Sequence, residues 1–355
     1  MLYILIILLL LVTGYVLKNN VILSLFLIGI LQYFFTNVSP ESPDYGNYFQ
    51  YYYGGEYYRN LLQKGYESVS IFFLNQGYSF KSFRLLIVVV SLFLIWLAAK
   101  KWTKNVAWVF AFYLIACFPL DVIQIRNFIM LGFSTLAITI LRKKDKFRVL
   151  ISLSLIWIGS QFHTMGLIYI PIVILALVSD KFTNKIQKYC VPIAVLGAAI
   201  FSIGSSNVII SSFARVIGQL TSNESQLTNK LTERYTTGTS WSMIAVVMLT
   251  NIVVWYAVNK IAQNDRDDLD QKTQEIVNTM KNVSAYGMLL LPLMFIAPDY
   301  SRVFRNLNLL AIIFFVMVLS NSGMNFKTKK LAFFSLIIIG LGGISIWGRY
   351  FNILF

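Results

Sequence analysis

Apolar residues in this chain gather into long runs, with the polar residues confined between them. Leu2–Leu17, Leu85–Ala99 and Leu309–Leu319 with its flanks exceed what the core helices of a soluble domain need. A helix rises about 1.5 Å per residue, so a membrane span takes roughly 17–25 apolar residues. On that measure the chain predicts about twelve spans, at 2–17, 20–37, 84–100, 105–120, 122–141, 147–162, 163–179, 189–205, 241–260, 281–297, 301–320 and 331–348. Residues 149–178 are long enough to read as one helix. However, Gly159 and Gly166 flank the polar Ser160–Gln161 and His163–Thr164, and basic clusters lie at both ends. A hairpin puts both clusters on one side, so two spans are expected there. The fold class is an all-α polytopic membrane protein, one integral-membrane domain over 1–355 with long loops at 38–83 and 206–240.

Composition agrees with the pattern. Of the 355 residues 57% are hydrophobic and 13% charged, about half the charged share of a soluble domain. The net charge of +15 therefore does not point to nucleic acid, because the charges are few and sit between spans. A soluble enzyme, a disordered chain and a secreted disulfide scaffold are excluded. Cys117 and Cys190 are expected near opposite membrane faces, with no disulfide between them. The first apolar run has no basic leader and no small-residue cleavage site, so it reads as a retained helix.

Basic residues set the orientation. With the Lys18 turn facing the cytoplasm, 19 of the 30 basic residues fall inside, both termini face out, and both long loops lie outside. The inner set holds 16 Lys and 3 Arg; the outer set holds 3 Lys and 8 Arg. Inner lysines follow from topology alone. Outer arginines oppose the topology signal, and arginine is the side chain for bidentate recognition of phosphate or carboxylate. Snorkelling and loop ion pairs are the bland alternative.

Polar chemistry gathers on that outer side. The first outer loop carries Asp44, Tyr45, Tyr48, Tyr66 and Glu67 among many tyrosines. Aromatic faces beside carboxylates suit a sugar, although an interfacial tyrosine belt uses the same residue. Arg126 opens an inward-running span, where a helix N-terminus and a guanidinium together favour an anion; a structural pair with Asp121 is the alternative. His163, the only histidine, opens another inward helix. A helix N-terminus disfavours imidazolium, so a neutral ring able to take a proton is one reading, and a structural histidine is the other. Arg302 and Arg305 share a face at the start of a third inward helix. Apolar positions 209, 213, 216, 217 and 220 predict an amphipathic helix in the 206–240 loop, and Ser68–Phe80 is a weaker interfacial segment within 38–83. No metal-ligand cluster, phosphate loop or nucleophile elbow appears, so no metal, no cofactor and no ATP-driven transport is expected.

The order Asp44–Tyr45, Tyr66–Glu67, Ile125–Arg126 and Phe162–His163–Thr164 resembles the EpsG-like family of Wzy-type polysaccharide polymerases over roughly residues 1–350. The match at Arg302/Arg305 is looser, and 206–240 has no counterpart. The resemblance implies a metal-independent, inverting membrane glycosyltransferase of the C-type superclass in the bacterial cytoplasmic (inner) membrane, its site facing outward. Donor and acceptor would both be polyprenyl-pyrophosphate-linked oligosaccharides drawn from the membrane lipid, with a chain-length regulator protein as partner. The product would be an O-antigen, capsule or exopolysaccharide. In that chemistry Arg126, Arg302 and Arg305 are candidates for the pyrophosphate, and Tyr45, Tyr48 and Tyr66 for the sugar. His163 is the first candidate for the base, with Asp44 and Glu67 as rivals. A lipid-linked oligosaccharide flippase or exporter, an O-antigen ligase and a glycan acyltransferase are the competing readings. The first is disfavoured by span centres nearly free of ionisable groups, and the last by a histidine on the outer side.

Overall fold

The computed structural model describes residues 2–16, 29, 38, 40–42, 44–55, 62–142, 145–178, 180–203, 240–264, 269–295 and 298–347. All regular elements among them are helical. Helix α1 is Leu2–Val16, and the short α2 (Tyr45–Tyr53) and α3 (Lys64–Asn75) precede the long α4 (Phe80–Trp102). Next come α5 (Val106–Ala116), α6 (Phe118–Ile123), α7 (Ile125–Thr139) and α8 (Lys146–Ser160). A 3-10 helix, Thr164–Tyr169, runs directly into α9 (Ile170–Leu175). The chain continues with α10 (Asp180–Ile203), α11 (Trp241–Asn264), α12 (Gln271–Leu290), α13 (Ser301–Ser320) and α14 (Phe326–Trp347).

Among the described residues four stretches have the length and hydropathy to cross a bilayer: Phe80–Trp102, Trp241–Asn264, Pro298–Ser320 and Phe326–Ile346. Other apolar helices are shorter, among them Val106–Ala116, Ile125–Thr139 and Thr164–Leu175. The segment expected at 20–37 and the amphipathic helix expected in the 206–240 loop lie outside the described residues.

Several boundaries differ from the apolar runs for physical reasons. The span expected at 281–297 begins ten residues earlier, at Gln271. Polar helix formers extend it, and Thr273, Ile276, Val277 and Met280 keep a buried face. This polar half lines a cavity of about 240 Å³ with Thr183 and Gln187 of α10. Between the runs expected at 105–120 and 122–141 the chain breaks at Cys117, and Pro119 starts the single turn and a half of α6. The interfacial stretch 68–80 divides into the end of α3, a turn at Gly77 with φ +76°, and the start of α4. Cys117 and Cys190 are both buried free thiols.

Helix α13 is the hub. It packs against α4, α5, α7, α11, α12 and α14, and all but a few of its side chains are buried. Side-chain contacts define two ends of the bundle. At one end Trp102 Nε1 donates to the Thr139 carbonyl (3.0 Å), Asn105 Nδ2 to the Gly14 carbonyl (3.0 Å), and Arg142 pairs with Glu275 (3.6 Å). Lys100, Lys101, Lys146 and Lys327 lie at the helix termini of this end. At the opposite end lie Arg84, Arg126, Arg302 and Arg305, in the opening turns of α4, α7 and α13.

The deepest polar contact of that arginine end joins α13 to α6. Arg305 Nη2 sits 2.9 Å from Asp121 Oδ1, the two side chains being 1% and 0% exposed. Tyr113 donates its hydroxyl to the other carboxylate oxygen (3.1 Å), and Arg305 Nη2 also reaches Gln124 Oε1 (3.2 Å). Removing one partner strands a buried charge, which costs about 3–5 kcal/mol. Asp121→Leu and Arg305→Met are each expected to lower the thermal midpoint in detergent sharply. The double variant should recover most of the loss, and a double variant as unstable as the two singles combined would contradict the pairing.

Candidate functional site

Five chain segments meet above that ion pair. The first turns of α7 and α13 are joined by a reciprocal amide pair, Asn127 with Asn306, at 3.3 Å in each direction. Arg126 Nε, also in the first turn of α7, donates to the Phe162 carbonyl (3.3 Å), directly before His163. Gly65 and Tyr66, at the start of α3, donate their amides to the Gln161 carbonyl at 3.0 and 3.2 Å. Two successive carbonyls at the end of α8 thus hold α3 and α7 beside the His163 turn. Gly65 permits the approach, because a Cβ there would stand 2.6 Å from Gln161 Cβ and 2.8 Å from its carbonyl oxygen. The Arg126 guanidinium lies over the Tyr66 ring, 5.6 Å from its centroid.

The fifth segment is the start of α2. Asp44 precedes that helix with φ 66°, and it is the one described non-glycine residue in the left-handed region. Such a backbone costs an ordinary residue roughly 1–2 kcal/mol, and aspartate tolerates it better than most. Its carboxylate makes no capping bond to the helix, and Asn47 Nδ2 reaches Oδ1 only at 3.5 Å. Strained backbone at a carboxylate that does not serve its own helix is a mark of a functional position. Tyr48, one turn on, lies within electrostatic reach of Arg126, Asp44, Arg302 and Arg84 together. Burial raises its phenol above the ordinary range, and Arg126 opposes that most. Burial likewise raises the Tyr66 phenol, whose hydroxyl is enclosed without a hydrogen-bond partner among the described residues. Both phenols therefore stay protonated and can donate.

The histidine is held in a defined state. Met165 N–H donates to His163 Nδ1 (3.2 Å), so the side chain caps the 3-10 helix. With Nδ1 accepting, the neutral ring carries its proton on Nε2. His163 is thus set up to donate a hydrogen bond, and taking up a proton at Nδ1 would break the cap.

The other expected residues fall as follows. Arg302 is part-exposed and pairs with Asp299 at 2.9 Å. Arg305 is the partner of Asp121, the role the sequence had offered to Arg126 as its alternative. Glu67 is half-buried in the first turn of α3. Tyr45 keeps a partly exposed ring, whereas Tyr48 and Tyr66 pack into an aromatic cluster with Tyr52, Phe80 and Phe83. The rings of Tyr48 and Tyr66 therefore form the floor of the site. Arg84 was counted among the outer arginines without a role. It is buried, donates to the Val122 carbonyl (3.2 Å), and faces the Tyr45 ring at 5.4 Å. The signal that marks it is the one that marks Arg126, an arginine in the first turns of a span on the arginine end. Among the described residues no group of three or more His, Cys, Asp or Glu could hold a metal ion.

The docking of α3 is testable by exchange. Gly65→Ala is expected to push α3 off Gln161, so the amides of residues 65 and 66 should exchange many-fold faster while those inside α4 do not change. Unaltered protection at both amides would contradict the contact.

No curated protein and no solved structure matches the chain. A family model does, over residues 20–353. That match takes in each of the converging segments, and the chain is a multi-pass, all-helical membrane protein that belongs to the EpsG family, whose members are Wzy-type polymerase-like.

Proposed function

We propose that this protein polymerises glycan at the outer face of the bacterial cytoplasmic membrane. The growing chain leaves its polyprenyl pyrophosphate and joins the non-reducing end of an incoming lipid-linked repeat. The observation that carries the reading is the convergence at one bundle end of Asp44, Arg126, His163 and Arg302 over protonated tyrosines.

In this reading the C1–O bond to the pyrophosphate breaks, and its electron pair stays on the leaving oxygen. The acceptor hydroxyl oxygen bonds to C1 from the opposite face, which inverts the anomeric centre. Arg126 and Arg302 bind the pyrophosphate together with the amide N–H groups that open α7 and α13. Arg305 holds the wall beneath them through Asp121. His163 donates Nε2–H to a phosphate or sugar oxygen. The acceptor proton goes to a carboxylate, and Asp44 is favoured over Glu67 because it stands on a left-handed backbone, φ 66°. Tyr45 offers the partly exposed ring for sugar stacking. Both substrates are lipids, in keeping with a site at the mouth of a membrane bundle.

The test uses purified protein in nanodiscs, lipid-linked repeat alone as substrate, and product ladders as readout. Asp44→Asn should lower kcat by roughly 10²–10⁴-fold, the range of a lost general base. His163→Asn can still cap Met165 N–H and should keep the wild-type pH profile, whereas a titrating base at His163 would erase the acidic limb. Full activity in Asp44→Asn would remove Asp44 as the base. Failure of the wild type to extend any repeat would overturn the polymerase reading.

A further inference from the structure

Arg84 lies one turn into α4 and is 1% exposed. A cation enclosed by apolar helices forfeits its hydration and needs compensation. Its guanidinium finds that compensation on two other elements at once. Nη2 donates to the Val122 carbonyl of α6 at 3.2 Å, and Cζ lies 5.4 Å from the centroid of the Tyr45 ring at the start of α2. The Phe80 ring, 5.8 Å from Cζ and edge-on to Tyr45 at 5.5 Å, completes the packing. Arginine suits this position because its planar group offers N–H bonds at its edge and a flat face to a ring. The compact ammonium of a lysine serves one such partner at a time.

Both partners stand directly beside a residue that the site depends on. Val122 follows Asp121, the partner of Arg305. Tyr45 follows Asp44, whose φ of 66° turns the chain into α2. One guanidinium therefore links the buried joint beneath the site to the turn that presents Asp44. The far end of α2 is tied separately: Tyr52 donates its hydroxyl to the Tyr78 carbonyl (2.8 Å), and the Phe80 amide donates to the Tyr53 hydroxyl (3.1 Å). The hydrogen bonds at the near end are local, from the Tyr45 amide to the Ser42 carbonyl (3.1 Å) and from the Tyr48 amide to the Asp44 carbonyl (3.0 Å). The Arg84–Tyr45 contact is what carries that end to a distant element. At 1% exposure Arg84 is also out of reach of a substrate, which separates its role from that of the part-exposed Arg126 and Arg302.

We infer that Arg84 is a positioning residue for Asp44. It clamps the Tyr45 ring, and with it the left-handed turn at Asp44, to the helix that carries Asp121. The inference rests on the polymerase reading for the task of Asp44, and it assigns Arg84 a role that acts through Asp44 alone.

The test uses the full chain in nanodiscs and two independent readouts. The first is hydrogen exchange, which requires no turnover. In Arg84→Met the amides of Tyr45 and Tyr48 should exchange several-fold faster, while those in the interior of α7 and α13 keep their wild-type protection. The second is extension of a lipid-linked repeat. Arg84→Met should lower kcat about tenfold with KM unchanged, a barrier rise of about 1.4 kcal/mol and within what a desolvated cation–π contact supplies. Added to Asp44→Asn, the same change should lower kcat no further, because a residue that acts only through Asp44 has nothing left to position. Arg84→Lys keeps a cation but not both contacts, and should show the same pattern at smaller size; it carries the test if Arg84→Met fails to fold. Unaltered exchange at residues 45 and 48 would overturn the inference. So would a tenfold loss that multiplies with that of Asp44→Asn, as a general loosening of the bundle would produce. If the wild type extends no repeat while exchange at 45 and 48 responds to Arg84→Met, the polymerase reading fails and the clamp on the Asp44 turn stands.

Discussion

The arginine end of this bundle depends on one buried ion pair. Two charges enclosed by apolar helices are tolerated only together, because each without the other forfeits its hydration and gains nothing in return. Arg305 and Asp121 satisfy that requirement at 2.9 Å, with Tyr113 and Gln124 meeting further hydrogen-bonding groups. The pair fixes α13, the most enclosed helix of the fold, against α6. Helix α7 starts two residues after α6 ends, so its N-terminus is fixed as well, and the Asn127–Asn306 pair closes the joint.

The rest of the site is built from that joint upward. Once α7 is placed, Arg126 meets the Phe162 carbonyl, and the neighbouring Gln161 carbonyl takes α3. His163 follows at once and caps its own 3-10 helix. Helix N-termini, guanidinium groups and protonated phenols gather at this end, all of them suited to stabilising negative charge. Asp44 enters on a strained backbone from a separate loop. Arginines with a carboxylate, Asp44, beside them suit chemistry in which an anion departs and a proton is taken up.

Much of this was legible along the chain because hydropathy marks where helices meet the bilayer surface. Arg126, His163 and Arg302 each open an apolar run, and each stands at a helix start in the structure. The lysine-rich end follows from the distribution of basic residues along the chain, which needs no three-dimensional information. What stayed hidden depends on distant partners or on local geometry. Asp121 lies 184 residues from Arg305, and nothing near either one names the other. The tautomer of His163 follows from one amide proton, and the left-handed Asp44 from a turn with no glycine to announce it. Arg84 opens its expected run as Arg126 does, but its partners, the Val122 carbonyl and the Tyr45 ring, lie about forty residues away in either direction. The polar first half of α12 was invisible to hydropathy and becomes a helix through propensity and one buried face.

The claim that most needs measurement is that this chain joins repeats, as opposed to moving them or handing them on. Cells lacking the gene should be compared with cells that re-express it, by the length and membrane side of their lipid-linked glycans. The account predicts single repeats held on the outer leaflet in the deletion, and a ladder restored by the wild-type chain. Single repeats confined to the inner leaflet would make the protein a flippase. Long lipid-linked chains left unattached would make it a ligase, and either result would contradict polymerisation.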